Sequence, residues 1–308
     1  MKNLDIGNTF LKFLQPDIAI DYLNKAVEEE PNNGEAWLSL GKCYLYDNDL
    51  ENAEKFFKKS AELIPDNTEV WLLLGIICKD MGRESEAIKF FNKTQELGLK
   101  DDELFRIIGF VYYAMGRLIE AEENLLRSAH ISPDKAETYY LLSHIEKARQ
   151  HYSKAENLLL KAIEIEPDNV DYLYYLGNVY YRSKDFERAI RLFQRCNSID
   201  DGKFQVWNDM GLCYIDLGDY ERAKKCLKRS IELTPLHFRP YYNTACVYSL
   251  TDNTDEALEY LEKSFQLCSH RVCKLVMKDP DLKKLWNEPR FISLFLKYCD
   301  KKQNEENN

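Results

Sequence analysis

The chain has 308 residues, of which 45% are hydrophobic and 31% are charged. This balance is ordinary for a globular chain with a buried core, and no apolar run approaches the ~18 residues of a membrane-spanning helix. The formal net charge of -10 repels phosphate backbones over most of the surface, so the composition disfavours both a membrane protein and a general nucleic-acid binder.

The first residues, MKNLDIGNTFLKF, include Asp5 and lack a continuous apolar core. We therefore expect no secretory signal and a cytoplasmic protein. The nine cysteines are odd in number and are scattered over predicted helical faces, which is not a disulfide spacing. We expect most of them to be small core residues.

A pattern of 34 residues repeats along the chain, and residues 34–67 show it most clearly. Trp37 and Gly41 lie on one face of a predicted first helix, Ala53 lies on the inner face of a second helix, and Pro65 ends the unit. The small residue recurs at Ala19, Ala87, Ala121, Ala155, Ala189, Ala223 and Ala257. Two helices per unit at a fixed period predict a helical solenoid, which is a single domain despite its length.

Some units depart from this pattern. The unit that begins at Ala136 has Ser143 where most units have glycine, which predicts altered packing there. Leu99 and Asp201 stand where other units have the closing proline, which predicts looser turns.

After Cys268 the period stops. Two turn signals, Asp279-Pro280 and Glu288-Pro289, flank short apolar faces, and we expect residues 269–299 to form helices that cap the end of the stack. The polar tail from Asp300 is expected to be disordered.

The order W, L, G, Y, A, F, A, P within 34 residues resembles the tetratricopeptide-repeat (TPR) family, over about residues 1–268. The closing segment with DPDL and PRF resembles the one that follows the last repeat in many such proteins. The resemblance implies an all-α, right-handed superhelical solenoid of about eight helix hairpins plus C-terminal capping helices. The expected units lie near 1–33, 34–67, 68–101, 102–135, 136–169, 170–203, 204–237 and 238–268, followed by the cap at 269–299 and the tail at 300–308.

No catalytic motif is present in the sequence, and the five histidines lie far apart. Cys268, His270 and Cys273 form the only close group of potential metal ligands, and their spacing fits no common zinc pattern. We therefore expect no enzymatic activity, no cofactor and no metal.

The TPR resemblance implies that the first helices line a concave groove that binds peptides. The groove positions carry aromatic and amide side chains, which suit a peptide because they combine contact area with hydrogen-bonding groups. The candidate residues are Phe110, Tyr113, Tyr140, Tyr174, Asn178, Tyr181, Arg182, Asn208, Arg239 and Tyr242. Asn178 is the strongest single candidate, because the family often keeps an amide there. The alternative is that several of the tyrosines only cover neighbouring helices.

One carboxylate per unit stands near the start of the first helix, at Glu35, Glu69, Glu103, Glu137 and Asp171. The simpler interpretation is compensation of the helix macrodipole. The alternative is an acidic strip that selects basic segments of a ligand.

The favoured function is a cytoplasmic scaffold or adaptor that holds an extended peptide or a partner helix in the groove. The second candidate is a regulatory or assembly subunit that uses its convex face or its ends. An RNA-binding repeat protein ranks third because of the acidic charge.

Chaperone-binding members of the family hold the C-terminus of the chaperone with a clamp for two carboxylates. This chain matches the clamp poorly, because Asp209 would repel a carboxylate, so we do not expect it to bind chaperone C-termini. The sequence does not identify the partner.

Overall fold

The structure is a computed structural model that describes residues 2–299, so the tail predicted from Asp300 lies outside the described residues. The described chain contains seventeen α-helices and one 3₁₀ helix, with no β-strand. It divides into two compact units, one ending at Ile145 and one beginning at Glu146. The all-α class of successive helix hairpins expected from the sequence is confirmed.

The first unit consists of four hairpins of consecutive antiparallel helices and the start of a fifth first helix. The pairs are α1 (Asn3–Lys12) with α2 (Pro16–Glu29), α3 (Gly34–Tyr46) with α4 (Leu50–Leu63), α5 (Thr68–Asp80) with α6 (Glu84–Glu96), and α7 (Asp102–Ala114) with α8 (Leu118–Ile131). The boundary between the units falls inside α9 (Ala136–Ala148).

The second unit contains a lone second helix, three hairpins and a C-terminal pair of helices. These are α10 (Tyr152–Ile165), α11 (Val170–Arg182) with α12 (Phe186–Ile199), α13 (Phe204–Asp216) with α14 (Tyr220–Leu233), α15 (Phe238–Leu250) with α16 (Thr254–Val276), the 3₁₀ helix (Pro280–Leu285) and α17 (Pro289–Cys299). The long α16 is interrupted at Cys268, whose backbone is not helical.

Asparagine side chains cap the N-termini of several first helices. Asn33 accepts a hydrogen bond from the amide of Ala36, and Asn169 accepts from the amides of Asp171 and Tyr172. These contacts satisfy amides at the helix start that have no partner inside the helix, each worth about 1 kcal/mol.

The two helices of a hairpin approach closely because the first helix carries a glycine opposite a large side chain of the second. A Cβ atom at Gly75 would lie 2.4 Å from the ring of Phe91, and one at Gly177 would lie 2.5 Å from the ring of Phe193. Both phenylalanines are fully buried. The glycine therefore sets the distance between the helices.

The 3₁₀ helix packs against α15, and α17 packs against α16. Leu282, Leu285 and Phe291 are buried there and join the core formed by α15 and α16. This arrangement extends the hydrophobic core beyond the last repeat.

A disulfide joins Cys273 in α16 to Cys299 in α17. The expectation that the cysteines form no disulfides is wrong for this pair, because the C-terminal helices return the chain to α16. Cys273 is therefore no metal ligand. Of the seven free cysteines, six are buried, which confirms them as core residues. The cysteine pattern thus carries no argument about the compartment.

None of the helices in the described part of the chain combines the length and the apolar character needed to cross a membrane.

Replacing Gly75 with alanine should lower the free energy of unfolding by about 1–2 kcal/mol, because the cost of overpacking against Phe91 exceeds the gain in helix propensity. Urea denaturation checks this change. The control is Lys89→Ala on the exposed face of α6, which should stay within about 0.5 kcal/mol of the wild type. Equal midpoints for the two variants would contradict the packing account.

Removing the disulfide with Cys299→Ser should lower the stability of the α17 segment by about 3 kcal/mol, because the bond closes a loop whose ends are 26 residues apart. Native-state trypsin digestion, with cleavage after Arg290 and Lys297 as the readout, measures the change. The control Cys268→Ser alters a free cysteine and should leave the cleavage rate close to that of the wild type. Equal rates in all three proteins would contradict the prediction.

Candidate functional site

In the first unit two of the predicted groove residues, Tyr113 and Tyr140, form a small aromatic cluster with His144. Phe110 lies on α7 and is 44% exposed. The rings of Tyr113 and Tyr140 both meet the ring of His144 edge to face, with centroids 5.8 and 4.5 Å away. This cluster offers contact area on the first-helix face of the unit, as exposed aromatic residues at binding surfaces do.

In the second unit a hydrogen-bonded network connects the first helices α11, α13 and α15. Tyr174 donates its hydroxyl to Asp209 at 2.7 Å, and Asn208 donates its side-chain amide to the same carboxylate at 3.0 Å. Asn243 then donates to the side-chain oxygen of Asn208 at 2.8 Å. The three helices thus share one chain of polar contacts, which fixes the rotamers of its members.

Asp209 is the centre of this network. Burial raises the pKa of Asp209, while the hydrogen bonds from Tyr174 and Asn208 and the positive charge of Arg239 act in the opposite direction. The carboxylate therefore accepts hydrogen bonds at a buried position, where burial disfavours its negatively charged form.

Asn178 was the strongest candidate from the sequence. Its side-chain amide donates to the backbone oxygen of Tyr174, one turn earlier in α11, at 3.1 Å. Asn178 therefore lies beside the network and is oriented by its own helix.

Positively charged groups also lie on the first-helix face of the second unit. The ammonium of Lys147 lies 4.1 Å from the ring centre of Tyr175. Burial lowers the pKa of Lys147 and the positive charge of Arg182 lowers it further, while the negative charge of Asp209 acts in the opposite direction. Arg182 and Arg239 are exposed. Lys147 and Arg182 thus bring two positive charges near one another, and the buried carboxylate of Asp209 offsets part of their repulsion.

Tyr181 lies on the same helix as Arg182, and its ring contacts that of Phe186 with centroids 5.7 Å apart. Burial raises its pKa, and the negative charge of Asp216 raises it further. The hydroxyl therefore stays protonated and able to donate a hydrogen bond at neutral pH.

The structure places Tyr242 in the core, not on the groove surface. Its side chain is 5% exposed, and its hydroxyl donates to Asp279, which caps the 3₁₀ helix. Asn208 is similarly buried, at 4%. Both side chains serve internal contacts, and for Tyr242 the reason lies in the C-terminal helices, which the repeat pattern does not describe.

The carboxylates of the predicted acidic strip lie at the surface, and each contacts another residue of the same chain. Their partners lie on their own or a neighbouring repeat: Glu69 with Lys42 at 2.8 Å, Glu137 with Arg106 at 2.6 Å, Glu103 with Arg106 at 4.0 Å, Asp171 with Lys203 at 2.7 Å, and Glu35 with the Asn67 amide at 3.2 Å. This pairing favours a local structural role over selection of basic ligands.

Lys147 is a further candidate residue on this face, and it was not among those predicted from the sequence. It occupies the same repeat position as Tyr113 and Tyr181, one unit from each. The 34-residue period identifies this position, but a lysine there departs from the aromatic and amide side chains at the other groove positions.

Three family models match the chain. They are described as the Cilia and flagella-associated protein 70 C-terminal domain, at residues 3–173, the Anaphase-promoting complex, cyclosome, subunit 3, at residues 148–230, and the Tetratricopeptide repeat, at residues 203–269. No curated protein matches the chain in sequence.

Several solved structures are similar to this chain. A chain of the APC/C hetero-tetramer Cut9-Hcn1 is 18% identical with a TM-score of 0.59, over 73% of this chain and 45% of that one. Pseudomonas aeruginosa pilF is 15% identical with a TM-score of 0.56, over 66% and 92%. YrrB, described as a TPR protein with an unusual peptide-binding site, is 20% identical with a TM-score of 0.50, over 58% and 92%. The chain thus spans less than half of the Cut9-Hcn1 chain, and these identities show the fold alone.

Replacing Asp209 with asparagine should change how stability depends on pH. The folded protein holds the proton of Asp209 to a higher pH than the unfolded chain does, so the wild type loses stability as pH rises above about 3.8, and the variant lacks this loss. The difference in free energy of unfolding, variant minus wild type, should therefore rise with pH from that point. Chemical denaturation at a series of pH values measures it, and a constant difference would contradict the placement of Asp209 in a costly environment.

Proposed function

Because the chain belongs to the tetratricopeptide-repeat family, with residues 3–173 in the family of the Cilia and flagella-associated protein 70 C-terminal domain, we propose that it is a protein-interaction scaffold. It holds an extended segment of a partner protein along the face formed by α11, α13 and α15 in the second unit. The mechanism is binding without chemistry.

The observation that carries this proposal is the polar network centred on Asp209. It joins three consecutive first helices through Tyr174, Asn208 and Asn243. Side chains whose rotamers are already fixed lose little conformational entropy when a ligand binds, and this saving is a main source of affinity in peptide grooves. Amide and hydroxyl groups beside such a network can hold a peptide backbone by its donors and acceptors.

The charges suggest where an acidic residue of the ligand would lie. Lys147 and Arg182 disfavour one another at one end of the face. A carboxylate of the partner placed between them would relieve that repulsion. We therefore propose a partner segment with an acidic residue at this end, and the paired carboxylates of the acidic strip give no support to a basic one.

A second candidate is a subunit of a larger assembly. The match of residues 148–230 to the family model of Anaphase-promoting complex, cyclosome, subunit 3 favours it. In that case the partner contacts other surfaces of the chain, and the groove is secondary.

The double variant Arg182→Ala with Arg239→Ala should weaken binding of the partner at least about tenfold, because it removes two exposed charges from the face without altering the core. The partner is first identified by affinity capture with the full chain, and its affinity is then measured by calorimetry. The matched control is Lys225→Ala with Lys228→Ala, which removes two exposed charges from α14, on the opposite side of the hairpin. Equal affinities for the two double variants would contradict the groove and favour the assembly role.

A further inference from the structure

One position near the end of each second helix differs between the repeats in an informative way. The 34-residue register places apolar residues there in six repeats, at Val27, Ala61, Ala129, Ile163, Ile231 and Phe265. In the other two repeats the position holds Gln95 and Asn197. These are also the repeats in which Leu99 and Asp201 replace the closing proline.

Both amides are incompletely satisfied. The nitrogen Nε2 of Gln95 is buried and has no hydrogen-bond partner among the described residues, and neither do the nitrogen and the oxygen of the Asn197 amide. Buried amide groups without partners are costly and uncommon in folded proteins. Their presence at one repeat position in two separate units indicates a purpose other than packing.

Gln95 lies in the wall of an open cleft of about 570 Å³ on the second-helix face of the first unit. The cleft is lined by Asn92, Gln95 and Glu96 from α6, by Lys100 and Phe105, and by Arg127 from α8. The guanidinium of Arg127 lies 5.7 Å from the ring centre of Phe105, which supports it from one side.

The same residue types recur three repeats later. Gln194, Asn197, Trp207 and Arg229 stand at the positions that correspond to Asn92, Gln95, Phe105 and Arg127. In this second set the chain supplies its own anion, because Arg229 donates to the carboxylate of Asp201 at 3.2 Å.

A third equivalent arginine behaves likewise. Arg195 donates to the carboxylate of Asp168 in the preceding turn at 3.1 Å. In the turn that precedes Arg127, Leu99 stands where Asp201 stands, and Lys100 stands where Asp168 stands. No carboxylate of the described residues lies within ion-pair distance of Arg127.

The cleft therefore has a positive charge without a counterion. Lys100 adds a second positive charge, and the single acidic residue in the lining, Glu96, pairs with Lys93 at 3.5 Å. An arginine over an aromatic ring, beside an amide N–H without an acceptor, is complementary to a carboxylate.

We propose that this cleft binds a carboxylate of a partner peptide, with Arg127 forming the ion pair and Gln95 donating the hydrogen bond. It is a second interaction site, separate in sequence and in helix face from the α11–α13–α15 surface. In the second unit the equivalent arginine, Arg229, already binds a carboxylate of the chain itself, that of Asp201.

The test is a nuclear magnetic resonance titration of the full chain, carrying isotope-labelled glutamine and asparagine. The side-chain signal of Gln95 is identified by its loss in Gln95→Leu. Three probes are added separately. The first is the α-N-methylamide of N-acetylglutamate, whose only free carboxylate is on the side chain, and the second is N-acetylglutamine, whose only free carboxylate is the terminal one. The third is the neutral N-acetylglutamine N-methylamide. We expect a saturable shift of the Gln95 signal with at least one acidic probe and none with the neutral one. Which acidic probe binds more tightly distinguishes an acidic side chain from a chain terminus.

Arg127→Gln should weaken this binding at least about tenfold, because it removes the charge and leaves the exposed position intact. Leu99→Asp should block the cleft by placing a carboxylate where Asp201 stands in the other unit. The reciprocal change Asp201→Leu should make the Asn197 signal responsive to the acidic probe, whereas the wild-type Asn197 signal should not respond.

Three results would overturn the proposal: no saturable shift of the Gln95 signal, an equal response to the neutral probe, or unchanged binding in Arg127→Gln. Because Arg127 is exposed, that variant keeps its fold, and the outcome does not depend on whether Leu99→Asp folds.

Discussion

The contact between a glycine of most first helices and a large side chain of the second helix is the constraint on which the fold depends. At Gly75 and Gly177 a single added carbon would lie within 2.5 Å of the facing phenylalanine ring. The two helices can therefore pack only at one short distance, and that distance fixes which side chains point outward. Positions that face away from this contact are free to vary, and they carry the groove and the cleft.

The repeat period predicted most of the fold because the packing positions recur every 34 residues with similar size. It predicted the helix hairpins and the alanines on the inner faces of the second helices, which are buried. It could not predict contacts that occur once in the chain. The disulfide of Cys273 with Cys299 and the burial of Tyr242 both depend on the C-terminal helices, which have no counterpart in the repeats.

The candidate sites were predictable to different degrees. The sequence pointed to Tyr174 and Asn178, but the hydrogen-bond network depends on rotamers of Asp209 and Asn208 that a sequence does not specify. The cleft at Gln95 was visible as a polar exception to an apolar position, yet its meaning required the observation that Arg229 already has a carboxylate and Arg127 has none. Differences between repeats, rather than their shared residues, distinguish the proposed binding surfaces.

Hydrogen–deuterium exchange of the full chain, with and without its bound partner, tests the central claim most directly. If the partner lies along the first-helix face of the second unit, the amides of Val170–Arg182, Phe204–Asp216 and Phe238–Leu250 should exchange more slowly in the complex, because bound backbone opens less often. Unchanged exchange in these three helices, with protection confined to the second helices α12 and α14, would contradict the account.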